Sequence, residues 1–295
     1  MASLKTYTSA RAFRTALEER LKRTSITEQT DLNRLRRQVS FDRMLARLFR
    51  EESPPWVLKG GYALELRFKD ARSTVDIDLT VQRVTARVGD QNQLIREMLQ
   101  GAADVPLGDW FEFTVGPASM DLTAAPYGGA RYPVEARMDE RIFARFHVDA
   151  GVGDVVMGPP ETIVCRDWLG FAGIESSRVV MIAREQQLAE KIHAYTLPRN
   201  AVNSRVKDLV DLALLIGSGE LDKRRILEAL RLTFERRGTH DLARLEEGHE
   251  VGEYAQKSRL NAWGSVRTGS LLRRRQPANL TTNSPAGRSA APPAI

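Results

Sequence analysis

Two carboxylates, Asp76 and Asp78, stand two residues apart at the end of residues 57–81, VLKGGYALELRFKDARSTVDIDLTV. On a strand such a pair points to one face, with backbones about 6–7 Å apart. There the two side chains converge on one hard cation such as Mg²⁺. Upstream, Gly60 and Gly61 make a break where a phosphate approaches the free N–H groups of a helix N-terminus. A phosphate cradle followed by a metal-binding pair is equipment for a nucleoside triphosphate. The same residues also read as a turn and the solvated face of an edge strand. No GxxxxGK[ST] is present, which excludes a P-loop.

A third acid follows on a later strand. Residues 142–150, IFARFHVDA, alternate apolar and polar side chains, the pattern of a half-buried strand. Asp149 lies near its end, before Gly151-Val152-Gly153-Asp154, where it either completes a three-carboxylate site or ends the strand in a turn. The four histidines, His147, His193, His240 and His249, lack metal-ligand spacing. His193, close to Lys191, reads as a packing residue and Cys165 as a small buried hydrophobe.

The elements that must position these acids are legible in outline. Residues 8–50 read as two helices, the first with Phe13, Leu17 and Leu21 inward, the second with Val39, Phe41, Met44, Leu45 and Leu48. Ser53-Pro54-Pro55 stops the second. A short strand at 56–58, a short helix after Gly60-Gly61, the strand of Asp76 and a helix over 90–107 follow. Strands at 110–115, 128–138 and 142–150 complete a mixed α/β sheet. From 184 to 217 the chain reads as helical, broken at Pro198 and recapped by Asn203-Ser204. In the second of these helices Val206, Leu209, Val210, Ala213 and Leu214 form the expected inward stripe. Arg205, Asp208 and Asp211 fall on the opposite side, with Lys207 and Asp211 spaced as an ordinary surface pair. The division expected is 1–158 for N-terminal helices and α/β core, 159–262 for a helical domain and 263–295 for a disordered basic tail.

The chain's net charge of +6 is unevenly spread. Residues 1–50 hold 12 Lys/Arg and 5 Asp/Glu, and residues 265–295 hold five Arg and no acid. Basic flanks around an acidic centre suit a polyanion such as RNA outside and a cation inside. They equally suit solvated helix surfaces. One cysteine excludes an intramolecular disulfide and fits the cytoplasm. No long apolar run and no apolar leader are present, so neither a membrane span nor secretion is expected.

Three segments together resemble a known family. They are Leu58-Lys59-Gly60-Gly61-Tyr62-Ala63-Leu64 leading to Asp76-Ile77-Asp78; His147-Val148-Asp149-Ala150-Gly151-Val152-Gly153-Asp154; and Gln187 to Ala194 (QLAEKIHA) followed by Asn203 to Leu212 (NSRVKDLVDL). Over roughly residues 35–217 the chain resembles the AbiEii/AbiGii-type nucleotidyltransferase toxins. The resemblance implies a polymerase-β-like nucleotidyltransferase core and a helical C-terminal half. It implies the toxin of a toxin–antitoxin or abortive-infection system, using Mg²⁺ and an NTP, with an antitoxin partner and tRNA 3′ ends among the acceptors of some members. Carried over, Gly60 and Gly61 fall in the small-residue turn, and Asp76, Asp78 and Asp149 at the metal-binding acids. Lys191 falls at the triphosphate-holding lysine, and Arg205, Lys207 and Asp208 in the last motif. One departure is Tyr62, where the family usually has Thr. A non-catalytic nucleic-acid- or antitoxin-binding protein, or the same chemistry on a protein or small-molecule hydroxyl, remain the alternatives.

Overall fold

Strand alternation sets the architecture. In the computed structural model, which describes residues 7–82, 90–198 and 205–242, the fully buried Ile77 and Leu79 face one side of a sheet. Asp76 and Asp78 therefore face the other. Burial of each of those two apolar side chains contributes about 1.5–3 kcal/mol, which fixes the register that presents the acids.

The elements run α1 (Ala10–Thr27), α2 (Leu32–Leu48), β1 (Trp56–Lys59), α3 (Gly60–Arg67), β2 (Asp76–Val81), α4 (Gln91–Ala103), β3 (Glu112–Val115), β4 (Met120–Asp121), β5 (Gly129–Met138), β6 (Arg141–Val152), β7 (Glu161–Val164), β8 (Arg178–Met181), α5 (Arg184–Thr196), α6 (Val206–Gly217) and α7 (Lys223–Arg237). The strand order is β3-β5-β6-β2-β1-β8-β7, with β4 beside β5. Two pairs are parallel, β2 with β6 and β1 with β8, so the sheet is mixed as expected. The apolar faces of α1, α2 and α4 join Ile77, Leu79, Tyr132 and Val148 in the main core. Leu35, left out of the expected α2 stripe, is buried there as well.

Beyond residue 158 the chain first extends the same sheet through β7 and β8, short strands whose alternation is too brief to stand out in sequence. Helices follow, packed around α5: Leu64, Leu188, Leu212 and Leu215 form one cluster, and Met157, Ala189, Leu230 and Phe234 another. His193 is buried against Phe234 and His240. The described residues all belong to one compact unit, Met1–Leu242. The tail and the Asn203-Ser204 cap expected from the sequence lie outside the described residues.

Helix α6 corrects the sequence reading. Its expected inward stripe is exposed: Val206 is 66% accessible, Val210 46% and Leu209 37%. The buried face carries Asp208, Asp211, Leu212 and Leu215. Two buried acids are held inward because cations from elsewhere meet them. Arg72 grips Asp211 with two bonds of 2.9 Å, and Lys191 lies 2.7 Å from it. The expected Lys207–Asp211 surface pair is thereby replaced.

Much of the N-terminal positive charge is also consumed internally. Arg43 and Arg47 are buried on Asp109, at 2.7 and 2.8 Å. Arg14 caps the carbonyls of Met138, Arg141 and Ile142 at the far end of the β5–β6 hairpin. Arg34 pairs with Glu65 and Arg36 with Glu18. Arg11, Lys22, Arg23 and Arg50 stay exposed.

Candidate active site

Four adjacent strands bring four charged side chains into one row. Arg131 of β5 is opposite Asp149 of β6, Asp149 is opposite Asp78 of β2, and Asp78 is opposite Lys59 of β1. Directly paired residues share a face, so the row reads plus, minus, minus, plus across the sheet. Asp76 sits two residues along β2, opposite His147. Three carboxylates thus crowd one patch, and they are partnered unequally. Arg131 forks onto Asp149 at 2.8 and 2.7 Å and reaches Asp76 at 3.1 Å. The Nδ1 of His147 lies 3.1 Å from Asp76. Among the described residues Asp78 receives a single hydrogen bond, from the Gly61 N–H at 3.3 Å. Burial, reinforced by the charge of Asp149, pushes the Asp78 carboxyl up to about 6.

The Gly-Gly break is shaped by Asp78. Gly60 has φ +66°, and a Cβ there would stand 2.0 Å from Asp78 Oδ2. Only glycine permits both the backbone and the contact. The Gly61 N–H, which opens α3, points at this carboxylate, so the helix start serves to hold Asp78. The Gly60 carbonyl accepts from Gln187 of α5, tying the turn to the helical part.

Beside the row lies a cavity of about 200 Å³. Asp78 and Asp149 form one wall, and Lys59, Lys191, Arg205 and Arg237 bring cations to the others. Each cation is held by acids. Lys191 bonds Asp208 at 2.8 Å and Asp211 at 2.7 Å, and Arg205 bonds Asp208 at 3.0 Å. Lys59 bonds Asp154, which also takes Arg237 at 3.0 Å. Glu190 stands 3.8 Å from Lys59 and 3.7 Å from Arg237. These acids keep Lys59 and Lys191 charged despite burial. Gly60, Asp78, Asp149, Lys191, Arg205 and Asp208 are therefore gathered around one space. Gly61, Asp76 and Lys207 do not line it, and Lys207 is exposed. A larger cavity, about 560 Å³ between α1 and residues 166–171, carries none of the sheet carboxylates.

The family model of the nucleotidyl transferase AbiEii toxin, of type IV toxin–antitoxin systems, matches residues 43–273. The chain belongs to this family. It is a toxin-type nucleotidyltransferase, for which a nucleoside triphosphate is the donor. Among solved structures it is similar to MenT4, a nucleotidyltransferase toxin of Mycobacterium tuberculosis H37Rv, with 18% identity and a TM-score of 0.52 over 72% of this chain and 68% of that one. That likeness bears on the fold. JHP933 of Helicobacter pylori shares 13% identity at a TM-score of 0.41, over 78% of this chain and 97% of its own. No curated protein matches the chain.

Within the AbiEii frame, Tyr62 is a buried core residue, its ring edge-on to Phe41 and its hydroxyl donating to the Gln38 carbonyl at 3.3 Å. It turns away from the cavity and offers no hydroxyl to a phosphate. The oxygen-only donor set of Asp76, Asp78 and Asp149 fits a hard cation, and the raised Asp78 carboxyl marks a charge that a cation would relieve. Among the described residues no group of three His, Cys, Asp or Glu side chains is arranged to hold a metal ion, and Arg131 is bonded to both Asp149 and Asp76. Sequence reasoning missed Arg131, Lys59, Asp154, Glu190, Arg237 and Arg72. Lys59 adjoins the glycine pair and Asp154 closes the Gly-rich stretch after Asp149, so both were within reach. Arg131 had no local signal, because only strand register brings it to Asp149.

Proposed function

We propose that this chain transfers a nucleotide from an NTP to an RNA 3′-hydroxyl, with the tRNA 3′ end as the acceptor, in a reaction dependent on Mg²⁺. The observation that carries the reading is the cavity walled on one side by Asp78 and Asp149 and on the others by Lys59, Lys191, Arg205 and Arg237. At about 200 Å³ it is smaller than the roughly 300–1,000 Å³ of sites that engulf a drug-sized ligand. It suits the phosphates of a nucleotide, with ribose and base toward the open side.

Asp76, Asp78 and Asp149 would hold Mg²⁺, which supplies charge neutralisation at the phosphate oxygens and at the attacking hydroxyl. Lys191 acts as a compact point charge on the triphosphate. Arg205 adds a planar donor fork at the same wall. Asp208 and Asp211 hold Lys191 from behind, so its ammonium is set before the nucleotide arrives. Gly60 lets the backbone meet Asp78 without displacing it. Among the described residues, Arg11, Arg23 and Arg50 are exposed N-terminal cations available to an RNA backbone, while Lys22 is paired with Glu19 at 2.8 Å. The cognate antitoxin is the expected protein partner. The single cysteine, buried with its thiol pushed up to about 12 by burial, fits a reducing cytoplasm.

The pairing of Arg14, Arg34, Arg36, Arg43 and Arg47 within the fold favours, as a second reading, an acceptor hydroxyl on a protein or small molecule. Incubation with each α-³²P-labelled NTP and total RNA, intact or oxidised at its 3′ ends with periodate, separates the two. Label on intact RNA alone supports the RNA acceptor. Label on protein, or equal label on oxidised RNA, overturns it.

A further inference from the structure

The three sheet carboxylates have their oxygens unequally engaged. Asp149 has both on Arg131. Asp76 has one on Arg131 and the other on His147. Asp78 has one on the Gly61 N–H. The guanidinium thus lies where a cation bridging Asp149 and Asp76 would take its oxygens. Register fixes its root, since Arg131 is paired across β5–β6 with Asp149 in the regular stretch of the ladder that precedes the register shift at Ala136/Arg137. Its side chain is 28% accessible, so a path to solvent is open.

We infer that Arg131 is an internal counter-cation, a positioning residue that holds Asp149 and Asp76 together in the metal-free chain and is displaced from them by a divalent cation. The inference rests on the proposed reading of Asp76, Asp78 and Asp149 as cation ligands. A divalent ion and the guanidinium would compete for the Asp149 and Asp76 oxygens, because a doubly charged centre and a guanidinium at contact distance repel strongly in a partly desolvated site. The guanidinium fork also matches a carboxylate geometrically, so Asp149 stays in its working rotamer while it waits. Without this arginine the three acids would repel and splay; with it, the patch is neutralised in part and ready. The consequence is a weakened apparent affinity. Cation binding competes with an intramolecular partner, so half-loading moves to a higher divalent-ion concentration. A purely structural Arg131–Asp149 pair would persist on loading and would strengthen cation binding by holding its ligands in place.

The two roles move cation affinity in opposite directions. Mn²⁺ is titrated calorimetrically, without nucleotide, into the full chain and into Arg131→Gln, Arg131→Lys and Asp78→Asn. We expect Arg131→Gln to bind Mn²⁺ about tenfold more tightly than the parent. Arg131→Lys, which keeps the charge but loses the fork, should fall between the two. Thermal unfolding in chelator and in saturating Mn²⁺ accompanies the titration. Arg131→Gln should unfold at lower temperature than the parent in chelator and recover most of the difference in Mn²⁺. Should Arg131→Gln not fold, tighter binding by Arg131→Lys carries the inference. Equal or weaker Mn²⁺ binding by the folded Arg131 variants, with binding abolished in Asp78→Asn, overturns the displacement while leaving the metal site standing. Mn²⁺ binding that survives in Asp78→Asn, or fails in every chain, overturns the metal site and the displacement with it.

Discussion

Gly60 is the position where a single methyl group tests the geometry. A Cβ built there lies 2.0 Å from Asp78 Oδ2, 2.4 Å from its Cγ and 2.6 Å from its Cβ. Ordinary carbon contacts need about 3.5 Å, so the Asp78 side chain must retreat by on the order of 1–1.5 Å. The backbone φ of +66° adds a cost of about 1–2 kcal/mol for alanine. Loss of the Gly61 N–H bond to Asp78 adds about 1 kcal/mol. Gly60→Ala should therefore lose about 2–3 kcal/mol, a fall of roughly 5–10 °C in the melting temperature. A displacement of about 1 Å in a site group costs on the order of 100-fold in rate. Nucleotide transfer, assayed well below the melting temperature, should fall by at least that factor. Gly61→Ala is the control: its Cβ meets Thr74 Oγ1 at 2.8 Å, away from the carboxylates. It should cost less than about tenfold in rate. Parent-level transfer by Gly60→Ala, or a larger loss in Gly61→Ala, would refute the claim that this turn exists to seat Asp78.

Lys191→Ala removes the shared partner of Asp208 and the fully buried Asp211. It should slow transfer sharply and cost about 1–3 kcal/mol by denaturant unfolding; Lys191→Arg should recover more stability than rate. Asp211→Ala strands Arg72 and Lys191 and should cost about 3 kcal/mol. By contrast, Val206→Ser and Val210→Ser on the exposed face of α6 should stay within about 0.5 kcal/mol. Burial lowers the His193 pKa from 6.5 to about 4, with Arg237 and His240 adding to the effect. Its native state resists protonation, so its contribution is complete above pH 6.5 and fades as pH falls toward 4. The loss should reach about 3 kcal/mol, and His193→Gln should flatten that limb of a stability-against-pH profile.

What the sequence made legible was what local patterns encode. Strand alternation located Asp76 and Asp78 opposite Ile77 and Leu79, and the glycine pair marked a turn whose close approach to Asp78 leaves no room for a Cβ at Gly60. Asp149 was found because its strand alternates and ends in a Gly-rich turn. The reading of α6 went wrong for a physical reason. Apolar periodicity assigns an acidic face to solvent, yet Asp208 and Asp211 are buried because Lys191 and Arg72, from other elements, meet them. Charge counts failed in the same way: Arg43 and Arg47 look like surface cations in composition and are core residues locked on Asp109. Arg131 became visible only through strand register. Long-range charge pairing, which decides these cases, leaves no periodic trace in a chain.

The central claim is that the sheet carboxylates beside the cation-lined cavity perform nucleotide transfer. Asp76→Asn with Asp78→Asn tests it most directly, because the substitutions keep side-chain shape and remove the charges. Circular dichroism and thermal unfolding would establish that the double variant is folded. Transfer from α-³²P-labelled NTPs to total RNA would then be compared with the parent chain in the presence of Mg²⁺. We expect the folded double variant to transfer no detectable label. Parent-level transfer by that folded variant would contradict the account.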